Sequence, residues 1–233
     1  MNTLPMAARE ESFEGGGGLN IFVRVWRPTL PPRGTLVIVH GFNSHSGQYA
    51  EAAQQFSAAG LAVYALDLRG RGRSDGERFY VAQFADYVDD VALLVKLARS
   101  REPALPVFML GHSAGGVVAC LYALEHQAGL AGLVCESFAF QLPAPDFALA
   151  VLKGLSHIAP CEDRATKPSG SRLFHDLAGS TDKTLTIYEG HFHDLLRDLG
   201  KELVMADINA WIDARIAREH DVRSNPIPFP VKE

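Results

Sequence analysis

The sequence has few of the features that mark several large classes of protein. It contains only three cysteines in 233 residues. Cys120, Cys135 and Cys161 are odd in number and lie far apart, which predicts small buried apolar residues in a reducing compartment, not a disulfide framework or a zinc site. Basic residues are outnumbered by acidic ones, 22 to 27, and the net charge is −5. Nothing in this charge balance indicates a nucleic acid as partner.

Long apolar runs are also missing. No stretch approaches the ~20 residues that span a bilayer, and the first 18 residues have no basic stretch followed by an apolar core. We therefore expect no signal peptide and a soluble, cytoplasmic protein. The hydrophobic share of 47% and the charged share of 21% are those of a globular chain, and the length predicts one domain over residues 1–233.

Short apolar runs alternate with helical patterns along the chain. Residues 19–27 alternate between apolar and polar and predict a half-buried antiparallel strand after a glycine run, 15–18, that is a flexible joint or a hairpin turn. Buried strands are predicted at 35–40, 61–66, 107–110, 130–135 and 184–188. Helices are predicted at 48–59, 81–99, 117–125 and 201–217. This order predicts an α/β fold with a mostly parallel, doubly wound sheet and helices on both faces.

The pattern Gly-x-Ser-x-Gly occurs at residues 111–115, between a predicted strand and a predicted helix. A serine on such a sharp turn is held in a strained conformation with its hydroxyl exposed, and only residues without bulk fit around it. The N-terminus of the following helix faces any negative charge that forms there. The setting predicts a nucleophile elbow with Ser113 as the nucleophile.

A serine nucleophile needs a base and a carboxylate that orients the base, in the chain order Ser, acid, His. His191 and His193 both follow the last predicted strand, and either could be the base. Asp163 fits the acid by its order in the chain. Glu136, at the tip of strand 130–135, is a second candidate for the acid. The remaining aspartates of this region are better explained as solvated loop or helix-end charges: Asp146, Asp176, Asp182 and Asp194.

Ester hydrolysis also requires donors for an oxyanion. The backbone N–H of Ala114 is one predicted donor, and the backbone N–H of Phe42, in the loop 40–47, is the other. His40 and His45 in the same loop lack further metal ligands nearby. We therefore interpret both as structural, with His45 exposed and His40 hydrogen-bonded at the strand end.

The segment 67–76, DLRGRGRSDG, superficially resembles a phosphate-binding glycine loop. It does not precede a helix at the first βα turn and lacks Gly-x-Gly-x-x-Gly. We interpret it as a tight loop that supports the site, with Ser74 and Asp75 making turn hydrogen bonds.

Taken together, HGFNSHSGQY, DLRGRGRSDGE, VFMLGHSAGG, DRATKPSGS and DKTLTIYEGHFHDLL resemble the monoacylglycerol lipase and lysophospholipase-like, serine aminopeptidase S33-type branch of the α/β-hydrolases. The resemblance covers residues 13–217. It implies that Ser113 is the nucleophile, His193 the base and Asp163 the acid, with Phe42 and Ala114 as the oxyanion donors. It implies no cofactor and no metal.

One departure from this family is large. Family members carry a lid and then an apolar strand that delivers the acid, whereas here only 50 residues separate Ser113 from Asp163. The spacing therefore predicts that most of the lid and the acid-bearing strand are missing from this sequence. The strand 184–188 must then pair directly with strand 130–135 or leave backbone groups unsatisfied. Around the core we expect an N-terminal extension at 1–14, a remnant lid at 141–160 and a loose tail at 220–233.

These observations predict a serine hydrolase that cleaves carboxylic esters, monoacylglycerols or related lipid esters, through an acyl-enzyme on Ser113. Two alternatives stay open. One is a catalytically impaired hydrolase-fold protein that binds an apolar ligand or partner on the surface left by the lid. The other is a thioesterase, lactonase or peptidase with the same triad. Peripheral membrane contact and oligomeric state also stay open. An acyl pocket could be lined by Phe42, Phe138, Phe140 and Leu149.

Overall fold

The structure is a computed structural model, and it describes residues 7–138 and 168–224, with side chains up to residue 218. A six-stranded sheet forms its centre. The strands are β1 (Arg9–Glu14), β2 (Asn20–Trp26), β3 (Gly34–Val39), β4 (Leu61–Leu66), β5 (Val107–His112) and β6 (Gly132–Glu136). Their order across the sheet is β1-β2-β4-β3-β5-β6.

The strands from β3 to β6 are parallel to one another, and β1 and β2 extend the sheet in antiparallel pairing. The residues of β3, β4 and β5 are buried without exception. Continuous apolar runs predict such strands because both of their faces are covered. The predicted α/β class and its mostly parallel sheet are confirmed.

Five α-helices accompany the sheet in the described ranges: α1 (Ala50–Ala58), α2 (Ala85–Arg101), α3 (Ala114–His126), α4 (Pro168–Leu177) and α5 (Lys201–Ser224). On one face α2 and α3 contribute Val88, Val91, Leu94, Val95, Ala98, Val118, Ala119 and Tyr122 to the core. On the other face α1 and α5 contribute Ala52, Ala53, Phe56, Val204, Met205, Ile208 and Ile212. The sheet is doubly wound, as predicted. None of the helices in the described part of the chain is long and apolar enough to cross a membrane.

The N-terminal extension contains a strand that the pattern did not predict. Arg9–Glu14 pairs with β2, and Gly17 and Gly18, both at φ +74°, make the hairpin turn between them. Positive φ is accessible to glycine at no steric cost, so the glycine run is a turn and not a joint. The charged residues of β1 hide its strand character, because an edge strand faces water.

The prediction of a strand at 184–188 is wrong. These residues belong to no strand, and β6 is paired only with β5 in the described ranges. A strand needs a neighbour for its backbone hydrogen bonds, and the described residues supply none for this segment. Helix α4, at 168–177, was not predicted at all. Helix α5 continues to Ser224, into the expected tail, and the remnant lid lies outside the described residues.

Two of the cysteines come together in the fold. The Sγ atoms of Cys120 on α3 and Cys135 on β6 lie 3.6 Å apart, and both side chains are half-buried free thiols. The two residues are distant in the sequence but meet because helix α3 packs on β6. They are less buried than we expected. Cys161 lies outside the described residues.

Candidate active site

Ser113 occupies a sharp turn between β5 and α3. Its backbone has φ +52° and ψ −119°, a conformation that residues other than glycine rarely adopt. The turn is held on both sides, because the Ser113 N–H donates to the Glu136 carbonyl oxygen (2.9 Å) and the Ser113 carbonyl accepts from the Gly116 N–H (3.0 Å). The predicted strained turn between strand and helix is confirmed, and the serine is half-buried within it.

The two flanking glycines are required by space. A Cβ added at Gly115 would lie 2.2 Å from the Val39 carbonyl oxygen and 2.4 Å from that of His40. A Cβ at Gly111 would lie 2.6 Å from the Gly115 carbonyl oxygen. These are backbone atoms of β3 and α3, which cannot rotate away as side chains do. The close packing therefore presses the start of α3 against the end of β3, and this fixes the position of Ser113.

The loop after β3 passes beside the serine. A Cβ added at Gly41 would lie 3.3 Å from the Ser113 Cβ. The next residue is Phe42, whose N–H is one predicted oxyanion donor, and its carbonyl oxygen accepts from the Nε of Arg71 (2.9 Å). Ala114, the other predicted donor, is the first residue of α3, where backbone N–H groups have no acceptor within the helix. Both donors thus belong to segments adjacent to Ser113.

His40 and His45 have structural positions. His40 is buried, and its Nε2 accepts from the Leu68 N–H (3.0 Å), so its Nδ1–H donates to the Gly41 carbonyl oxygen (2.7 Å). Burial lowers the pKa of His40 to about 4. His45 is half-buried, not exposed as expected, because its Nδ1 accepts from the Gly47 N–H (3.2 Å) at the start of the 3₁₀ helix Ser46–Tyr49.

Of the two candidate bases, His193 is the one that the fold brings to the elbow. The His193 carbonyl oxygen accepts from the Nε2 of His112, the residue before the serine, at 3.2 Å, and the two rings lie 4.9 Å apart. His191 instead contacts Tyr188 (ring centroids 5.6 Å apart) and the Glu189 carbonyl oxygen (3.2 Å). The geometry separates two residues that the sequence left as alternatives.

His112 links this loop to the sheet and was not singled out from the sequence. Its Nε2–H donates to the His193 carbonyl oxygen, so its Nδ1 accepts from the Tyr49 hydroxyl at 2.8 Å. Burial raises the pKa of Tyr49, which keeps this hydroxyl protonated. The first x of Gly-x-Ser-x-Gly carries no recognisable signal, and a tyrosine 63 residues upstream could not be assigned as its partner.

Glu136 is buried directly behind this histidine pair. Its Oε1 accepts from the Leu196 N–H at 3.2 Å, and its Oε2 has no partner among the described residues. Burial, and secondly the charge of Asp194, raise the pKa of Glu136 to about 8. At neutral pH the group is mostly protonated, and a protonated carboxyl cannot offset the charge of an imidazolium. Glu136 is thereby disfavoured as the acid of a triad at neutral pH.

Asp194 differs from its expectation as a solvated charge. Its carboxylate, that of Glu136 and a ring nitrogen of His112 all lie within 4.8 Å of one another. Such a group could in principle hold a metal ion, but a metal requires a free ring nitrogen, and both nitrogens of His112 already have partners. These three side chains form a polar cluster beneath the elbow, in which His112 and Glu136 are buried and Asp194 is half-buried and paired with Arg197 (3.2 Å).

Some predicted residues lie outside the described part of the chain. They are Asp163, the predicted acid, Asp146, and the predicted pocket residues Phe140 and Leu149. Phe138 is described: it is buried, packs 4.9 Å from the Phe174 ring and closes over Gly116. The acid of the triad stays a prediction.

The loop 67–76, which we expected to support the site, contacts the predicted oxyanion loop through Arg71 and also binds β2. The Ser74 hydroxyl accepts from the Phe22 N–H (2.8 Å), and Asp75 accepts from the Asn20 N–H (2.9 Å). These hydrogen bonds reach β2 and are not confined to the turn. The loop therefore ties the carboxyl end of β4 to the neighbouring strand.

A strained serine between a parallel strand and a helix, with a histidine beside it on a doubly wound sheet, defines the class as an α/β-hydrolase. Residues 30–161 match the family described as serine aminopeptidase, S33. The chain belongs to this family, within its esterase and monoacylglycerol lipase-like serine hydrolases.

Two relatives and one solved structure illustrate the likeness. The chain is 40% identical over 153 residues to the monoacylglycerol lipase of Mycolicibacterium smegmatis, covering 65% of this chain and 55% of that protein. It is 30% identical over 269 residues to the monoglyceride lipase of Homo sapiens, covering 86% and 89%. The fold resembles a soluble variant of monoglyceride lipase from Saccharomyces cerevisiae (TM-score 0.73, 17% identity, 90% and 97% covered).

The alignment with the human monoglyceride lipase also bears on the length of this chain. The alignment extends over 269 residues, more than the 233 of the whole sequence. The relative therefore has residues without a counterpart here. This agrees with the short distance in sequence between Ser113 and the predicted acid.

Proposed function

We propose that this protein hydrolyses carboxylic esters of single-chain lipids, monoacylglycerols in the first place, through an acyl-enzyme on Ser113. The observation that carries the proposal is the strained Ser113 conformation at the β5–α3 turn, with His193 held beside it through His112. The names of the relatives support the substrate class, since two of them are monoacylglycerol or monoglyceride lipases.

In the proposed reaction, His193 takes the hydroxyl proton of Ser113 as the oxygen attacks the ester carbonyl. The N–H groups of Phe42 and Ala114 stabilise the oxyanion of the tetrahedral intermediate. His193 then returns the proton to the departing alcohol, which leaves the acyl group on Ser113. Water, activated by the same imidazole, releases the fatty acid and restores the serine.

The acid is proposed to be Asp163, on the family resemblance. A second argument for Asp163 is that the alternative acid is disfavoured, because the raised pKa of Glu136 leaves its carboxyl protonated at neutral pH. An ionised partner is needed to stabilise the imidazolium that forms during the attack.

The test is hydrolysis of short- and long-chain p-nitrophenyl esters and of a monoacylglycerol by the wild type, Ser113→Ala and Ser100→Ala. Ser100 is an exposed serine on α2 whose hydroxyl only bonds the Leu97 carbonyl oxygen (2.7 Å), so it serves as the matched control. We expect Ser113→Ala to lose at least 10³-fold in kcat/KM and Ser100→Ala to retain the wild-type value.

A fluorophosphonate probe separates this proposal from an impaired hydrolase-fold protein that only binds an apolar ligand. The probe reacts covalently with an activated serine, and we expect labelling of wild type and Ser100→Ala but not of Ser113→Ala. Absence of labelling in folded wild type, together with equal ester hydrolysis by wild type and Ser113→Ala, would overturn the proposal.

A further inference from the structure

Three arginines alternate with glycines in the loop 67–76, and only two of them have acidic partners. Arg69 makes a two-pronged ion pair with the buried Asp90 (2.7 and 2.8 Å), and Arg73 pairs with Glu10 (2.6 Å). Arg71 forms no ion pair with a described residue, although its side chain is buried with 4% exposure. Its Nε donates to the Phe42 carbonyl oxygen (2.9 Å) and its Nη1 to the Gly70 carbonyl oxygen (3.3 Å).

A buried guanidinium without a counter-ion is unusual, because buried charges are generally paired. Two carbonyl oxygens use two of its five N–H donors. The rings of Phe42 and Phe79 lie against its face, at 4.6 and 4.5 Å, which stabilises the cation but supplies no negative charge. Phe79 is held at φ +62°, a strained value for an aromatic residue. The surroundings thus position Arg71 without neutralising it.

A second arginine, Arg78, faces the same cavity as Arg71 and forms no ion pair with a described residue. It is exposed, and its Nη1 donates to the Gly72 carbonyl oxygen at 3.2 Å. The Asp75 carboxylate, which accepts from the backbone and side-chain nitrogens of Asn20 (2.9 Å each), is near enough to attract Arg78 but makes no direct contact with it. The positive charge of Arg78, after burial itself, lowers the pKa of Arg71, so the two cations are close enough to repel each other.

Both arginines line an open cavity of about 320 Å³, together with Asn43, Ser44 and His45. A larger cavity of about 560 Å³ contains Arg9, Arg27 and Arg101. Every arginine of that larger cavity is paired with a glutamate, Glu11 or Glu102. Of these two cavities, only the smaller one contains arginines that form no ion pair with a described residue.

The smaller cavity also has the location of a ligand site. It lies where the chain leaves β3 and β4 at their carboxyl ends, and in open α/β sheets ligands bind at that edge. It adjoins the predicted oxyanion loop directly, since Arg71 bonds the carbonyl of Phe42. A ligand group bound there would lie next to an ester bond held at Ser113.

We propose that the cavity formed by Asn43, Ser44, Arg71 and Arg78 binds a phosphate group, either free or carried by the ester substrate. Two guanidinium groups match the charge of about −1.5 to −2 of a phosphomonoester at neutral pH. Their forked donors fit phosphate oxygens in pairs. The Asn43 amide is a neutral donor at the same cavity, and the Ser44 hydroxyl, which donates to the Gln48 Oε1 (2.6 Å), lines it. In this proposal side chains bind the phosphate, whereas a Gly-x-Gly-x-x-Gly loop binds it with backbone N–H groups. The lack of that motif in the loop 67–76 therefore does not contradict the proposal.

The first test is calorimetric titration of the full chain with inorganic phosphate at low ionic strength. The variants are Arg78→Gln and, as the matched control from the same loop, Arg73→Gln, whose arginine is exposed and paired with Glu10. We expect saturable binding at one site, weakened about tenfold or more in Arg78→Gln and unchanged in Arg73→Gln. Arg71→Lys, which keeps the charge but loses the fork, should weaken binding similarly.

The second test separates the two sources of phosphate and rests on the proposed function. It compares kcat/KM for a monoacylglycerol with that for the same acyl chain on glycerol 3-phosphate. A loss of about tenfold in Arg78→Gln, confined to the phosphate ester, assigns the site to the substrate. Saturable phosphate binding without this selectivity assigns it to free phosphate.

Two results would overturn the proposal. One is the absence of saturable phosphate binding together with the absence of selectivity for the phosphate ester. The other is equal weakening in Arg78→Gln and Arg73→Gln, which would show only general attraction to positive charge. If the fluorophosphonate fails to label Ser113, the proposed function fails, and the calorimetric result still decides whether the phosphate site exists.

Discussion

Replacing Gly115 by alanine tests whether close packing sets the conformation of Ser113. The new Cβ would lie 2.2 and 2.4 Å from two consecutive backbone carbonyl oxygens of the β3 end, whereas ordinary contacts begin near 3.4 Å. Helix α3 must therefore retreat from the sheet by roughly 1 Å, which we expect to cost about 3 kcal/mol of unfolding free energy, the upper part of the range for overpacking. For a chain of this size, such a loss lowers Tm by roughly 10 °C.

The same retreat carries Ser113 and the Ala114 N–H away from the loop that contains Phe42. We therefore expect Gly115→Ala to lose fluorophosphonate labelling at temperatures where circular dichroism still shows a folded protein. Gly179→Ala is the control, because a Cβ there meets nothing within 4 Å and the backbone is not in the left-handed region. A Gly115→Ala protein with the Tm and labelling rate of Gly179→Ala would refute the argument that packing fixes the elbow.

Three further predictions concern groups around the site and in the core. His193→Gln should abolish fluorophosphonate labelling whereas His191→Gln should leave it within about twofold, and the opposite ranking would contradict the assignment of the base. Glu136 has a folded pKa of about 8 against an ordinary 4.5, so wild-type stability is complete below about pH 4.5 and falls as the pH rises toward 8. In urea unfolding, the free energy of unfolding of Glu136→Gln relative to the wild type should therefore rise from pH 5 to 8, by about 1.4 kcal/mol per pH unit at most. A difference between the two proteins that does not change with pH would be inconsistent with a buried, protonated carboxyl. Asp90→Asn, which breaks a buried ion pair, should cost about 3–5 kcal/mol, whereas Glu51→Gln at the exposed pair with Lys201 should cost less than about 1 kcal/mol.

The parts of the fold that the sequence predicts are those that depend on local pattern. The strands β3, β4, β5 and β6 were predicted to within two residues because continuous apolar runs flanked by turns identify them. Among these, the prediction of a buried strand is wrong only for β6, which is largely half-buried. Strand β1 was missed because REESFE has the composition of an exposed edge. The strand at 184–188 was predicted wrongly because an apolar pattern alone does not form a strand, and the described residues contain no partner strand for it. Pairing is a property of the whole sheet, and no local window contains it.

The site likewise has one part that depends on consecutive residues and another that depends on contacts between distant segments. The spacing of Gly111, Ser113 and Gly115 predicted the strained turn, because that turn is built from consecutive residues. The pattern could not show that His193 contacts His112 whereas His191 contacts Tyr188, or that Asp194 is half-buried near Glu136. Contacts between distant segments determine both positions, and the role of His193 as the base stays a prediction. The role of Asp163 rests on resemblance alone.

The serine and the histidine of the candidate site are held by different means. Ser113 is fixed by backbone contacts among β3, β5, β6 and α3, all of which belong to the central sheet and its helix. His193 lies in a segment without strand pairing, and the side chains of His112 and Glu136 hold that segment through the His193 carbonyl oxygen and the Leu196 N–H. Side-chain hydrogen bonds are fewer and more easily lost than a strand ladder. It follows that the nucleophile turn depends on the central sheet, whereas the position of His193 depends on the side chains of His112 and Glu136.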